Sequence, residues 1–171
     1  MKTLPIFIAV LAVVAGGMYF LGYQNSVNPL RPTDQASNSD MLRDGKEIAV
    51  IAETVPYFGE SKGFFAKPTA PGSYPGVVMI HEWWGLNDNV RDMAQQLAAE
   101  GYQVLAVDLY NGKVAATADE ARAFRSALSE EEAIQNLKSA TEFLRGRGAM
   151  RIASLGWCFG GGKSLELAIS G

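Results

Sequence analysis

The chain has 171 residues, enough for one small folded domain, and 48% of them are hydrophobic, which fits a buried core plus one apolar segment. Its net charge of −3 offers no basic face, so nucleic acid is excluded as a partner. One cysteine excludes an intramolecular disulfide, and one cysteine with one histidine excludes a Cys/His metal centre within the chain. No metal or other cofactor is called for.

Residues 1–23 open with Lys2 and run without charge from Thr3 to Tyr23. The apolar stretch, residues 4–22, approaches the ~20 residues that span a bilayer. Val13, Ala15 and Gly17 also provide small-residue cleavage sites. The segment therefore predicts a transmembrane anchor or a signal peptide. Either places the rest of the chain outside the cytoplasm, membrane-anchored or exported to the periplasm, because the positive end stays inside. Residues 24–45 are rich in Asn, Ser, Pro and Asp without any period, and read as a polar linker. The folded domain is expected over residues 46–171.

Within it, Glu47–Thr54 alternates weakly and predicts an edge strand. Pro56–Phe65, with Gly59 and Gly63, predicts a hairpin turn into a strand over Gly63–Lys67. Val77–His81 is nearly uninterrupted in its apolar character, the pattern of a strand buried on both faces. Asn89–Glu100 follows as a helix with Val90, Met93, Ala94, Leu97 and Ala98 on its apolar side. Val104–Val107 is the next buried strand, and Asp108 marks its carboxyl end. Thr117–Leu128 and Glu130–Arg145 are helical by composition and spacing, with Ser129 as N-cap and Glu130–Glu132 in the favourable first turn. Strands alternating with helices predict an α/β fold, a mostly parallel sheet with right-handed crossovers and helices on both faces.

The last stretch carries the chemistry. Arg151–Leu155 predicts a short buried strand, Gly156-Trp157-Cys158-Phe159-Gly160 has the form G-x-nucleophile-x-G, and Lys163–Ile169 is helix-forming. Strand, sharp turn and helix in that order form a nucleophile elbow, with Cys158 in the place of the usual serine. Gly156 and Gly160 flank the turn where a side chain would collide with the neighbouring strand or helix. On spacing alone a second reading stays open, in which Cys158 is a small buried hydrophobe in a glycine-rich junction.

Upstream, Pro75 to Asn87 reads P-G-V-V-M-I-H-E-W-W-G-L-N, followed by D-L-Y at Asp108–Tyr110 and G-W-C-F-G-G-G at Gly156–Gly162. In this order and at about this spacing the segments resemble the dienelactone hydrolase family, a branch of the α/β-hydrolases with a Cys-His-Asp triad. The resemblance runs from near Glu53 to the end of the chain. It implies that Cys158 is the nucleophile and that Glu82 controls the protonation of its thiol. It also implies that the Trp83 and Phe159 amides form the oxyanion hole. Trp84, Tyr110 and Trp157 are the expected walls of a substrate pocket; the alternative for the tryptophans is a core role, and for Tyr110 a solvent-facing loop position.

His81, the only histidine, invites assignment as the base. The superfamily order places the base after the nucleophile, so His81 is expected to hold its loop instead. Two departures from the family pattern stand out. The substrate-binding arginine has no matched counterpart, although Arg122 and Arg125 are near, and no acid-and-histidine pair follows Cys158. The first reading is thus a carboxylic ester or lactone hydrolase with a cysteine nucleophile, of which this chain is an amino-terminal fragment acting on a small-molecule substrate. The alternatives are a catalytically inactive, membrane-anchored binding or interaction module of the same fold, and a natural fragment completed by a partner chain.

Overall fold

The structure, a computed structural model, describes residues 48–170. The expected anchor or signal over 1–23 and the linker over 24–45 lie outside the described residues. Among the described residues, no helix is long and apolar enough to cross a membrane.

The elements in chain order are β1 (Val50–Phe58), β2 (Ser61–Pro68), β3 (Gly76–Ile80), α1 (Asp88–Ala99), β4 (Gln103–Ala106), α2 (Ala118–Ala127), α3 (Glu130–Gly146), β5 (Ile152–Gly156) and α4 (Phe159–Ile169). They build one five-stranded sheet in the order β1-β2-β4-β3-β5. Strands β4, β3 and β5 run parallel, while β2 is antiparallel to both β4 and β1. The antiparallel hairpin therefore flanks a parallel centre.

All residues of β3 and β4 are buried, because helices cover both faces of the sheet there. Alternation along the strands sorts their side chains into two layers. Val78, Ile80, Leu105 and Val107 pack with Leu137, Ala140 and Leu144 of α3, and Val77, Met79, Val104 and Ala106 pack with Val90, Ala94 and Ala98 of α1. Leu137 and Leu144 are fully buried, and each such leucine contributes roughly 1.5–3 kcal/mol relative to exposure.

Most boundaries differ from the sequence reading by a residue or two, and three of the differences have a clear physical reason. The first strand starts at Val50 and continues to Phe58, through Pro56, with a register irregularity between Pro56 and Phe58. An edge strand tolerates a proline because one side of it needs no ladder donor. Thr117 lies outside α2 as its N-cap, in a reciprocal capping box with Glu120. Helix α4 starts at Phe159 rather than Lys163, so the glycine run Gly160–Gly162 is helical. Glycine costs about 1 kcal/mol per helical position relative to alanine, and close contact with β3 explains why Gly160 bears that cost.

Because β3, β4 and β5 are parallel, their carboxyl ends share one edge of the sheet. His81 and Glu82 follow β3, Asp108–Tyr110 follow β4, and Cys158 follows β5. Three segments far apart in sequence are thereby gathered at one rim, the place where open α/β sheets carry their sites.

Candidate active site

Cys158 sits between β5 and α4 with φ 51° and ψ −116°. A non-glycine residue in so unfavourable a region costs of order 1–3 kcal/mol and persists only where its surroundings enforce it. Two glycines provide that enforcement. A Cβ on Gly156 would come within 2.5 Å of the Gly160 backbone, and a Cβ on Gly160 would lie 2.4 Å from the Ile80 carbonyl oxygen and 2.6 Å from that of His81. Bare backbone at both positions lets β5, α4 and β3 meet, and the turn between them thrusts its side chain outward. Cys158 is accordingly exposed, and its thiol is free.

The thiol opens on a cavity of about 350 Å³. Trp83 and Phe159 line it as well. Phe159 is the first residue of α4, where an amide N–H has no acceptor within its own helix. Neither the Phe159 nor the Trp83 amide has a hydrogen-bond acceptor among the described residues.

His81 is fully buried, and both its ring nitrogens are engaged by backbone. Nδ1 faces the Glu82 carbonyl oxygen, and Nε2 accepts from the Leu109 amide at 3.2 Å. That pairing places the proton on Nδ1. Burial pulls the ring below the usual histidine range, against the opposing influence of the Glu82 carbonyl and the Asp108 charge. His81 is a neutral strut between the β3 and β4 loops, with no nitrogen left to serve as a base.

The Asp108 loop is held from below. Its carboxylate accepts from the Tyr110 amide at 2.9 Å and from the Gly112 amide. Tyr57 donates to Asn136 Oδ1 at 2.6 Å and accepts from the Asp108 amide at 3.0 Å, while Asn136 donates to the Asp108 carbonyl at 3.1 Å. The hairpin, α3 and the β4 loop are tied together by these bonds.

Three of the expected pocket walls stand elsewhere. Trp157, the residue after β5, packs against the α1-side core together with Leu155. Trp84 turns edge-on to Trp83, ring centroids 5.1 Å apart, and its carbonyl accepts from Ala115. Tyr110 is neither a cavity wall beside Cys158 nor a solvent-facing loop residue. It is 5% exposed and packs against the rings of both His81 and Phe159, centroids 4.8 and 6.0 Å away. Burial pushes its hydroxyl up to about 12, against the opposing charge of Arg125. Glu82 is half-buried beside the site, and its carboxylate makes no hydrogen bond or ion pair among the described residues.

The cavity instead holds four charged residues that the sequence reading did not assign to it: Arg125, Glu130, Lys163 and Glu166. Lys163 is buried and pairs with Glu130 across the α3–α4 contact and with Glu166 at 2.8 Å along its own helix. Burial lowers its pKa and the two carboxylates raise it; the carboxylates prevail. Arg125, exposed on α2, makes no ion pair among the described residues. Only the Lys163–Glu166 spacing of three was visible in sequence; Glu130 looked like an ordinary first-turn acid.

A parallel-centred sheet under helices on both faces, with a cysteine raised on a glycine-flanked strand–helix turn, is an α/β-hydrolase arrangement. Comparison with known proteins narrows the class. Residues 61–171 match the dienelactone hydrolase family, and the chain belongs to it. A protein of Saccharolobus solfataricus, provisionally named a carboxymethylenebutenolidase, is 32% identical and is matched over 63% of this chain and 56% of its own. Protein usf of Aquifex pyrophilus is 33% identical, matched over 63% of this chain and 49% of its own. Among solved structures, a dienelactone hydrolase-like promiscuous phosphotriesterase, P91, from metagenomic libraries superposes with a TM-score of 0.61 at 27% identity. That match covers 70% of this chain and 54% of P91. The chain spans about half the length of the curated relatives it matches.

Proposed function

We propose that the complete protein is a carboxylic ester or lactone hydrolase of the dienelactone hydrolase type, with Cys158 as nucleophile. The exposed thiol at positive φ, sharing one cavity with Trp83 and Phe159, is the observation that carries this reading. The Cys158 sulfur adds to the substrate carbonyl, and the carbonyl oxygen, now negative, receives the Trp83 and Phe159 N–H groups. Collapse expels the alcohol and leaves an acyl-enzyme, which water then releases. Arg125, unpaired at the rim, takes the place of the family's substrate-binding arginine and favours acyl groups that carry a carboxylate. Glu82 keeps the thiol protonated until substrate enters, in the way a nearby carboxylate disfavours a thiolate.

Alkylation tests both roles at once. Iodoacetamide is expected to label Cys158 and to abolish hydrolysis by the complete protein, and Cys158→Ala is expected to be inactive. In Glu82→Gln the pH midpoint of labelling is expected to fall. Full activity in Cys158→Ala would dismiss the nucleophile, and an unmoved midpoint in Glu82→Gln would dismiss the coupling.

Residues 4–22 are proposed to hold the protein in the membrane with its domain outside the cytoplasm, on the strength of their length and apolar character. The protein is expected to stay in the membrane fraction through a high-salt wash, which weakens exposed charge contacts but not an inserted span. A soluble form beginning near Gly16 or Met18 would instead mark a cleaved signal.

A further inference from the structure

We infer that Lys163 is a positioning residue for the Cys158 site, cancelling the charge of Glu130 and Glu166 so that the cavity admits anionic groups to the thiol. The inference rests on Cys158 being the reactive group, and it concerns charges that the proposed mechanism leaves unused.

The geometry is specific. Lys163 lies five residues after Cys158, on the helix that begins at the turn. Its side chain is 4% exposed, yet it lines the same cavity as the thiol. A buried ammonium is held only where carboxylates or other acceptors surround it. Glu130 reaches it from the start of α3 and Glu166 from the next turn of α4. The ammonium also stands 5.7 Å from the ring centre of Phe159, another residue of the cavity wall.

The charged residues that line the cavity with the thiol are Arg125 from α2, Glu130 from α3, and Lys163 and Glu166 from α4; Glu82 lies in the loop after β3. With Lys163 present, the four charges lining the cavity cancel. Without it, Glu130 and Glu166 lose their shared cation, and their side chains are 76% and 43% exposed to water. The cavity would then carry a net negative charge beside the sulfur. That charge disfavours the thiolate and repels an anionic group approaching it.

The test needs no catalytic turnover and uses the full chain. Alkylation of Cys158 is followed at low ionic strength with two reagents of similar shape, neutral iodoacetamide and anionic iodoacetate. In Lys163→Met the ratio of iodoacetate to iodoacetamide rates is expected to fall about threefold to tenfold below that of the parent. Lys163→Arg, which keeps the charge, is expected to retain the parent ratio. The triple variant Lys163→Met/Glu130→Gln/Glu166→Gln is expected to recover it, since the unpaired carboxylates are gone. An unchanged ratio in Lys163→Met overturns the inference. So does a fall that the triple variant fails to restore, because Lys163 would then act through packing alone. If neither reagent labels Cys158 in the parent chain, the reading of Cys158 as the reactive group fails first, and that outcome is distinct from a lost charge preference.

Discussion

Gly160→Ala is expected to destabilise the domain by about 3 kcal/mol or more, at the upper end of what added core volume does. The added methyl would lie 2.4 Å from the Ile80 carbonyl oxygen and 2.6 Å from that of His81. Neither atom belongs to a side chain that can rotate away. Relief requires α4 to move off β3, which would also disturb the Cys158 turn and the β3 loop that follows His81. Gly162→Ala is the matched control. It adds the same methyl in the same helix, where nothing lies within 4 Å. There the gain in helix propensity and the loss of unfolded-state freedom are expected to stabilise by roughly 0.4–1 kcal/mol. Urea denaturation of the two variants and the parent provides the comparison. Equal midpoints for Gly160→Ala and the parent would refute the close approach of α4 to β3.

The second large effect concerns catalysis. Residues 1–171 alone are expected to show no turnover of an activated ester above that of free cysteine. The only histidine is His81, and both its nitrogens are occupied by backbone in a fully buried site. Glu166 is the one carboxylate side chain after Cys158, and Lys163 holds it. No histidine in these residues is free to accept the thiol proton in the transition state and donate it to a departing alcohol. A positioned acid–base group contributes typically 10²–10⁴-fold, so its absence alone places the chain near background. Hydrolysis through Cys158 therefore requires a histidine and an orienting acid from outside these 171 residues. Turnover of a p-nitrophenyl ester by the purified chain, lost in Cys158→Ala, would overturn that requirement. It would show that Cys158 works without an imidazole partner.

The non-enzymatic alternative, a binding module that keeps the elbow without the chemistry, makes a different forecast. A longer protein containing the histidine and the acid would then still fail to turn over any ester. The family membership and the cavity that Cys158 shares with Trp83 and Phe159 favour the hydrolase.

Much of this protein is written locally and could be read without a structure. The order of strands and helices follows from apolar periods, and the N-cap at Ser129 follows from a hydroxyl placed three residues before a glutamate. The elbow is local as well: a strand, two glycines and a helix within a few residues leave the intervening side chain little freedom. Contacts between distant segments were not legible in this way. Whether an aromatic beside the turn meets substrate or core depends on which face of the sheet it points to. Trp157 packs on the α1 side along with Leu155, and Tyr110 is buried against the rings of His81 and Phe159. The charges around the thiol belong to the same category. Arg125, Glu130 and Lys163 lie on three different helices, and each alone looks like a solvated surface residue. Only the packing of α2, α3 and α4 over one rim of the sheet sets them around a single cavity, because side-chain charge is carried in the sequence but distance is set by the fold.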